Sequence, residues 1–221
     1  RCAMPAVPGV TLVEPQALRI AQTVRLPQQD GGIAGWVQAC FEQEQSQVRV
    51  RIAPALAGCL PQMVERIRGW LDLDADPLAL GTALERDFPR IDGLRVPGAL
   101  DGFELAVSAI LGQQVSVAAA STLVRRLVDA FGAPLATPME GLDRVFPTPL
   151  ALRDADPDRL GALGIVRQRQ GAIRALAEEV VSGRIVLGPG GDVAETLRAL
   201  TALPGIGDWT AQYIGMRALR W

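Results

Sequence analysis

Two stretches of this 221-residue chain combine residue types and spacings that could do chemistry. The first runs Leu203-Pro204-Gly205-Ile206-Gly207, then Trp209, Thr210, Ala211 and Tyr213. Pro204 and Gly205 stop one helix and a second begins near Thr210. N–H groups without helical partners therefore gather at the turn, beside the positive end of a helix dipole. The glycines keep side chains away, and Gly207 allows a backbone geometry closed to a residue with a Cβ. Such a turn can grip a phosphate at Gly205, Gly207 and Thr210. Its carbonyls, at Thr201, Leu203 and Ile206, could also hold a monovalent cation, Na or K. An ordinary helical-hairpin turn would share these features. Trp209 and Tyr213 are four residues apart, with Met216 three further on, so they share a helix face. An aromatic wall attracts a cationic ring by about 0.5–2 kcal/mol. Core packing is the commoner use of such a pair. Against it, Tyr213 is the only Tyr in the chain and lies in the element that starts at the candidate phosphate site.

The second stretch is Gly112-Gln113-Gln114, between an apolar helix and an Ala-rich one. Two amides there are poor candidates for burial, since an unbonded amide is costly to bury. Ala118, Ala119 and Ala120 just after them read as close core packing. Three absences narrow the chemistry further. There is no His, no Lys and no Asn, and all 22 basic residues are Arg. No imidazole can serve as base or metal ligand, and no side-chain amine can form a Schiff base with a sugar aldehyde. Cys2, Cys40 and Cys59 lack a C-x-x-C spacing, which argues against a disulfide framework and a zinc or iron–sulfur site. They read as small, partly buried hydrophobes, and no cofactor is expected beyond the hairpin cation. The net charge of −2 argues mildly against a general DNA binder. From Arg159 onward, however, eight Arg face five acids, a net of +3. No apolar run approaches a membrane span and no signal peptide is visible, so a cytoplasmic protein without a membrane partner is expected.

These groups need positioning elements. Residues 1–90 read as an α+β domain. Strand alternation covers Ala17–Leu26, Trp36–Phe41 and Gln47–Ile52, with a turn at Gln28 to Gly32. A helix over Leu56–Leu71 carries Met63, Ile67 and Trp70 on one face, with Pro61 in its first turn. Arg49 and Arg51 lie on the other side of their strand from Val48, Val50 and Ile52, as on a solvated sheet face. Residues 91–221 read as all-α. Asp101 with Glu104, and Asp192 with Glu195, have capping-box spacing. Asp156-Pro157 is an N-cap followed by Pro at the first helical position. An amphipathic helix covers Arg167–Val181, and another with Val193, Leu197 and Leu200 precedes the Pro-Gly turn.

The strings Leu203–Gly207, Trp209-Thr210-Ala211, Tyr213 and Arg217, together with Gly112-Gln113-Gln114, resemble the signatures of helix-hairpin-helix DNA base-excision glycosylases. The likeness is greatest to the DNA-3-methyladenine glycosylase II (AlkA) type. It spans nearly the whole chain and is strongest at 94–117 and 200–219. It implies an amino-terminal sheet domain, starting late here, and a helix-hairpin-helix domain whose end is missing. It also implies double-stranded DNA with a damaged base as partner, bound by a monomer. By the same resemblance Gln113, Trp209 and Tyr213 sit at the flipped base and Gln114 is the wedge that fills its place. Related bifunctional glycosylase-lyases carry Lys where this chain has Trp209. A monofunctional hydrolase of alkylated purines, without a lyase step, is therefore expected. The family's catalytic Asp follows the second hairpin helix and is expected beyond Trp221, in a longer enzyme. A non-catalytic helix-hairpin-helix DNA-binding protein, or a glycosylase of the same superfamily for another lesion such as uracil, would share these strings.

Overall fold

The computed structural model describes residues 6–26, 32–76, 79, 81–82, 95–188 and 190–221. Four strands, β1 (Thr11–Glu14), β2 (Arg19–Leu26), β3 (Ile33–Glu42) and β4 (Gln47–Ile52), form an antiparallel sheet in that order. The register pairs Gln22 with Val37 and Ala39 with Val50. Alternation decides the faces: Val48, Val50 and Ile52 pack on the sheet's core while Arg49 and Arg51 are exposed. β2 starts two residues later than its alternation suggests, because Leu18 takes a left-handed φ of 48°. β1 went unforeseen; four residues with one neighbouring strand give too short a period to read.

Helix α1 (Leu60–Trp70) lies against this sheet with Met63, Ile67 and Trp70 buried. The residues before it, Pro54–Cys59, form a 3-10 turn rather than the start of the helix. Pro61 falls in the first turn of α1, where an N–H would have no helical partner and its loss costs nothing. Cys40 and Cys59 are half-buried. Cys2, most of the Gln28–Gly32 turn and the boundary placed at 90/91 lie outside the described residues.

Beyond residue 100 the chain is helical: α2 (Gly102–Leu111), α3 (Val117–Phe131), α4 (Pro149–Arg153), α5 (Pro157–Ala162), α6 (Arg167–Val181), α7 (Val193–Thr201) and α8 (Asp208–Ile214). The last runs on into a π-helical turn, Gly215–Leu219. Side-chain caps by Asp101, Ser116, Thr148, Asp156 and Asp192 fix five of these starts, each worth about 1 kcal/mol. At α2 only half of the expected capping box forms. Asp101 accepts from the N–H groups of Phe103 and Glu104 at 2.9 and 3.1 Å. Glu104 turns instead toward the sheet, where the Gln22 amide donates to both its oxygens at 3.1 and 3.0 Å. Ala118 and Ala119 are a correction: both are exposed and Ala120 is half-buried, because the buried face of α3 is Leu123, Val124, Leu127 and Val128.

The sheet with α1 and the helical bundle each have a core, and each lends residues to the other. Val7 and Val10 join the helical core, and Leu100 and Leu142 the sheet core. Among the described residues no helix is long and apolar enough to cross a membrane.

Candidate nucleic-acid interface

The hairpin is built on two buried anchors, Leu200 at the end of α7 and Ile206 in the turn. Between them the Leu203 N–H bonds the Leu200 carbonyl and the Ile206 N–H the Leu203 carbonyl, both at 3.1 Å. Gly205 has φ +86°, and a Cβ there would meet the Cβ of Ala172 on α6 at 3.2 Å. Gly207 has φ −87° and ψ 170°, extended backbone open to any residue. The position that requires glycine is therefore 205, a correction to the reading of Gly207. A Cβ at Gly207 would have no neighbour within 4 Å, so its bare backbone faces open space ahead of α8. Thr210 is buried at 5% exposure and its hydroxyl accepts from Gln113. The Leu203 carbonyl keeps a second lone pair beside its bond to Ile206. Neutral carbonyls at Thr201, Leu203 and Ile206 suit a hard cation. Among the described residues no cluster of three His, Cys, Asp or Glu side chains could hold another metal.

Trp209, in the first turn of α8, is 75% exposed. Its ring stacks on Tyr213 with centroids 5.6 Å apart and planes 4° from parallel. Tyr213 packs against the helical core. Arg217 donates to the Tyr213 hydroxyl at 3.2 Å and lies 5.7 Å from its ring centroid. Its other nitrogens donate to the carbonyls of Pro97 and Gly98, tying the aromatic pair to the segment that enters α2. Met216, one turn on, is also exposed. Arg217 already supplies a cation to Tyr213, so Trp209 carries the accessible π-face.

The loop after α2 approaches this hairpin. Gln114 is exposed with φ 53°. Gln113 turns the other way: its Nε2 donates to the Gly205 carbonyl at 3.0 Å and to Thr210 Oγ1 at 3.1 Å. Its own carbonyl accepts from the Arg169 guanidinium of α6. Gln113, Gly205 and Thr210 are thus brought together, with Trp209 and Tyr213 on the same short helix. Arg169 was missed from sequence. One Arg near a helix start carries no signal until the chain folds. On the sheet, Arg49 pairs with Glu42 at 2.8 Å and Arg51 lies 5.9 Å from the Trp36 ring, so both are engaged within the sheet itself.

Comparison with known proteins fits this geometry. Residues 2–101 match the family described as AlkA N-terminal domain. Residues 107–218 match the HhH-GPD superfamily base excision DNA repair protein family. The chain is 39% identical over 166 residues to DNA-3-methyladenine glycosylase 2 of Escherichia coli, covering 75% of this chain and 57% of that protein. It is 37% identical over 220 residues to a Mycobacterium tuberculosis protein named "Probable bifunctional transcriptional activator/DNA repair enzyme AlkA", covering 97% and 42% respectively. The chain spans about half the length of these curated relatives. A solved 3-methyladenine DNA-glycosylase from Archaeoglobus fulgidus shares the fold, with a TM-score of 0.72 at 24% identity over 99% of this chain and 74% of that one.

Proposed function

This chain belongs to the HhH-GPD superfamily of base excision DNA repair proteins, and from that premise we propose that it is a DNA glycosylase hydrolysing the N-glycosidic bond of alkylated purines such as 3-methyladenine and 7-methylguanine. The observation that carries the reading is Trp209, a 75% exposed indole stacked on Tyr213 where the hairpin helix begins. Its bare face, beside a turn that can grip a phosphate, suits stacking against a flat ring.

The residues divide the work. Backbone N–H groups around Gly205, Gly207 and Thr210 hold a phosphate, and a Na or K ion on the Thr201, Leu203 and Ile206 carbonyls would stiffen the turn. Gln114 enters the duplex and fills the place of the extruded nucleotide. The base stacks on Trp209. Alkylation at a ring nitrogen makes it cationic, which strengthens the stacking by about 0.5–2 kcal/mol and makes the base a better leaving group. The bond from C1′ to the base breaks with its electron pair going to the base, which leaves neutral; a water oxygen bonds to C1′ and its proton is released to solvent. In the family that the chain resembles, an Asp steadies the cationic sugar, and the proposed reaction calls for such a carboxylate. With Trp209 where a lyase would need Lys, and no Lys in the chain, the reaction stops at an abasic site. The partner is double-stranded DNA, and one copy of the protein suffices.

The test is release of 3-methyladenine and 7-methylguanine from methylated duplex, comparing residues 1–221 with the full encoded chain. Base release that leaves the strand uncut is expected from the full chain. Tight duplex binding with no release by either would move the protein to a non-catalytic binding role. Strand cleavage with borohydride-trappable adducts would overturn the monofunctional assignment.

A further inference from the structure

We infer that Gln113 is a positioning residue that joins the wedge loop to the phosphate-gripping hairpin, so that both meet the duplex as one rigid unit; this rests on the glycosylase reading above. The direction of its amide is fixed chemically. The Gly205 carbonyl can only accept, so the atom 3.0 Å from it must be the donor Nε2. The second hydrogen of that nitrogen goes to Thr210 Oγ1 at 3.1 Å. Both donors are engaged in the hairpin and neither is left to read a base.

The backbone of the same residue is held from a third element. Arg169 on α6 donates to the Gln113 carbonyl. One turn on, Ala172 of α6 lies where a Cβ on Gly205 would meet it. Helix α6 is therefore the common floor under both loops, and Gln113 is the strut between them. The next residue, Gln114, sits at φ 53°, a conformation that a residue with a Cβ rarely adopts. Anchoring Gln113 by side chain and carbonyl keeps the backbone in that state and points Gln114 outward. A wedge on a loose loop would have to be ordered at every encounter with DNA. A wedge on a strut keeps a fixed distance from the bound phosphate.

The test uses the full encoded protein and a duplex carrying 2-aminopurine, whose fluorescence rises when it unstacks. Gln113→Leu keeps the volume and removes the donors. The expected result is a loss of unstacking by about tenfold, the size of one to two hydrogen bonds. Affinity for undamaged duplex should stay within about twofold, since the hairpin N–H groups remain. The ratio of 3-methyladenine to 7-methylguanine release should not change. Thr210→Val probes the same bond from the other side, and the double variant should lose little beyond either single one. Full unstacking by both single variants overturns the coupling, and so does a changed lesion ratio, which would make Gln113 a base reader. A wild-type protein that unstacks no duplex defeats the glycosylase reading itself, whereas failure confined to the Gln113 comparison defeats the strut alone.

Discussion

Trp70 is 2% exposed and Trp209 is 75% exposed. The first closes the core between α1 and the sheet, where its burial helps to hold the unit together. The second stands in water on a short helix and forgoes the stabilisation that burying a large side chain contributes, about 1.5–3 kcal/mol. The polar junctions differ in the same sense. The Gln22 amide meets Glu104 in a buried contact between the sheet and α2. The Gln113 amide meets the hairpin in a half-buried contact beside the exposed Gln114. One side of the molecule is finished by folding, while the other presents rings and bare backbone that only a ligand would cover.

The largest expected effect lies on the sheet side. Trp70→Ala should cost about 3–5 kcal/mol through lost burial and the cavity left behind, read as a shift in the denaturant midpoint. Trp209→Ala should leave stability within about 0.5 kcal/mol. Equal losses would erase the contrast between the two rings.

The hairpin glycines give a smaller, opposed pair. Gly205→Ala places a Cβ at φ +86° against Ala172 and should destabilise by about 1–2 kcal/mol. Gly207→Val adds its side chain where nothing lies within 4 Å, so the fold should be unaffected while affinity for any duplex falls. Unchanged affinity would show that no phosphate approaches Gly207.

The smallest effect is a pH slope at the closed junction. Burial, reinforced by Asp101, raises the Glu104 carboxyl well above the ordinary 4.5, against the lowering effect of the Gln22 hydrogen bond. The folded protein therefore holds that proton more tightly than the unfolded chain. The stabilisation is complete below the ordinary carboxyl range and is lost as pH rises through the folded value. Denaturant midpoints should fall as pH rises above about 4.5, the unfolded value, and Glu104→Gln should flatten that fall. A slope unchanged by the substitution would assign the titration elsewhere.

Much of this was legible in sequence for local reasons. Caps at Asp101, Asp156 and Asp192 announce their helices through side-chain chemistry within three residues. The strand at Gln47–Ile52 declares its faces by alternating Val and Arg. The Pro-Gly turn and the aromatic spacing placed the hairpin. What stayed hidden depends on neighbours distant in sequence. Glu104 has the spacing of a reciprocal cap, yet Gln22, 82 residues away, captures it. Gly205 and Gly207 look equivalent until Ala172 lies under one of them. The polar Gln113 reads as a residue unsuited to burial, and nothing local shows that its amide lies 3.0 Å from a carbonyl 92 residues on. Ala118 and Ala119 looked like packing residues, but both are exposed.

The most direct measurement is single-turnover release of 7-methylguanine by the full encoded protein and its Trp209→Ala variant, with affinity for undamaged duplex measured on the same preparations. The account predicts at least about a tenfold slower release, the scale of one desolvated cation–π contact, with duplex affinity nearly intact. Equal release by the two proteins would contradict it, because the exposed indole would then hold no base.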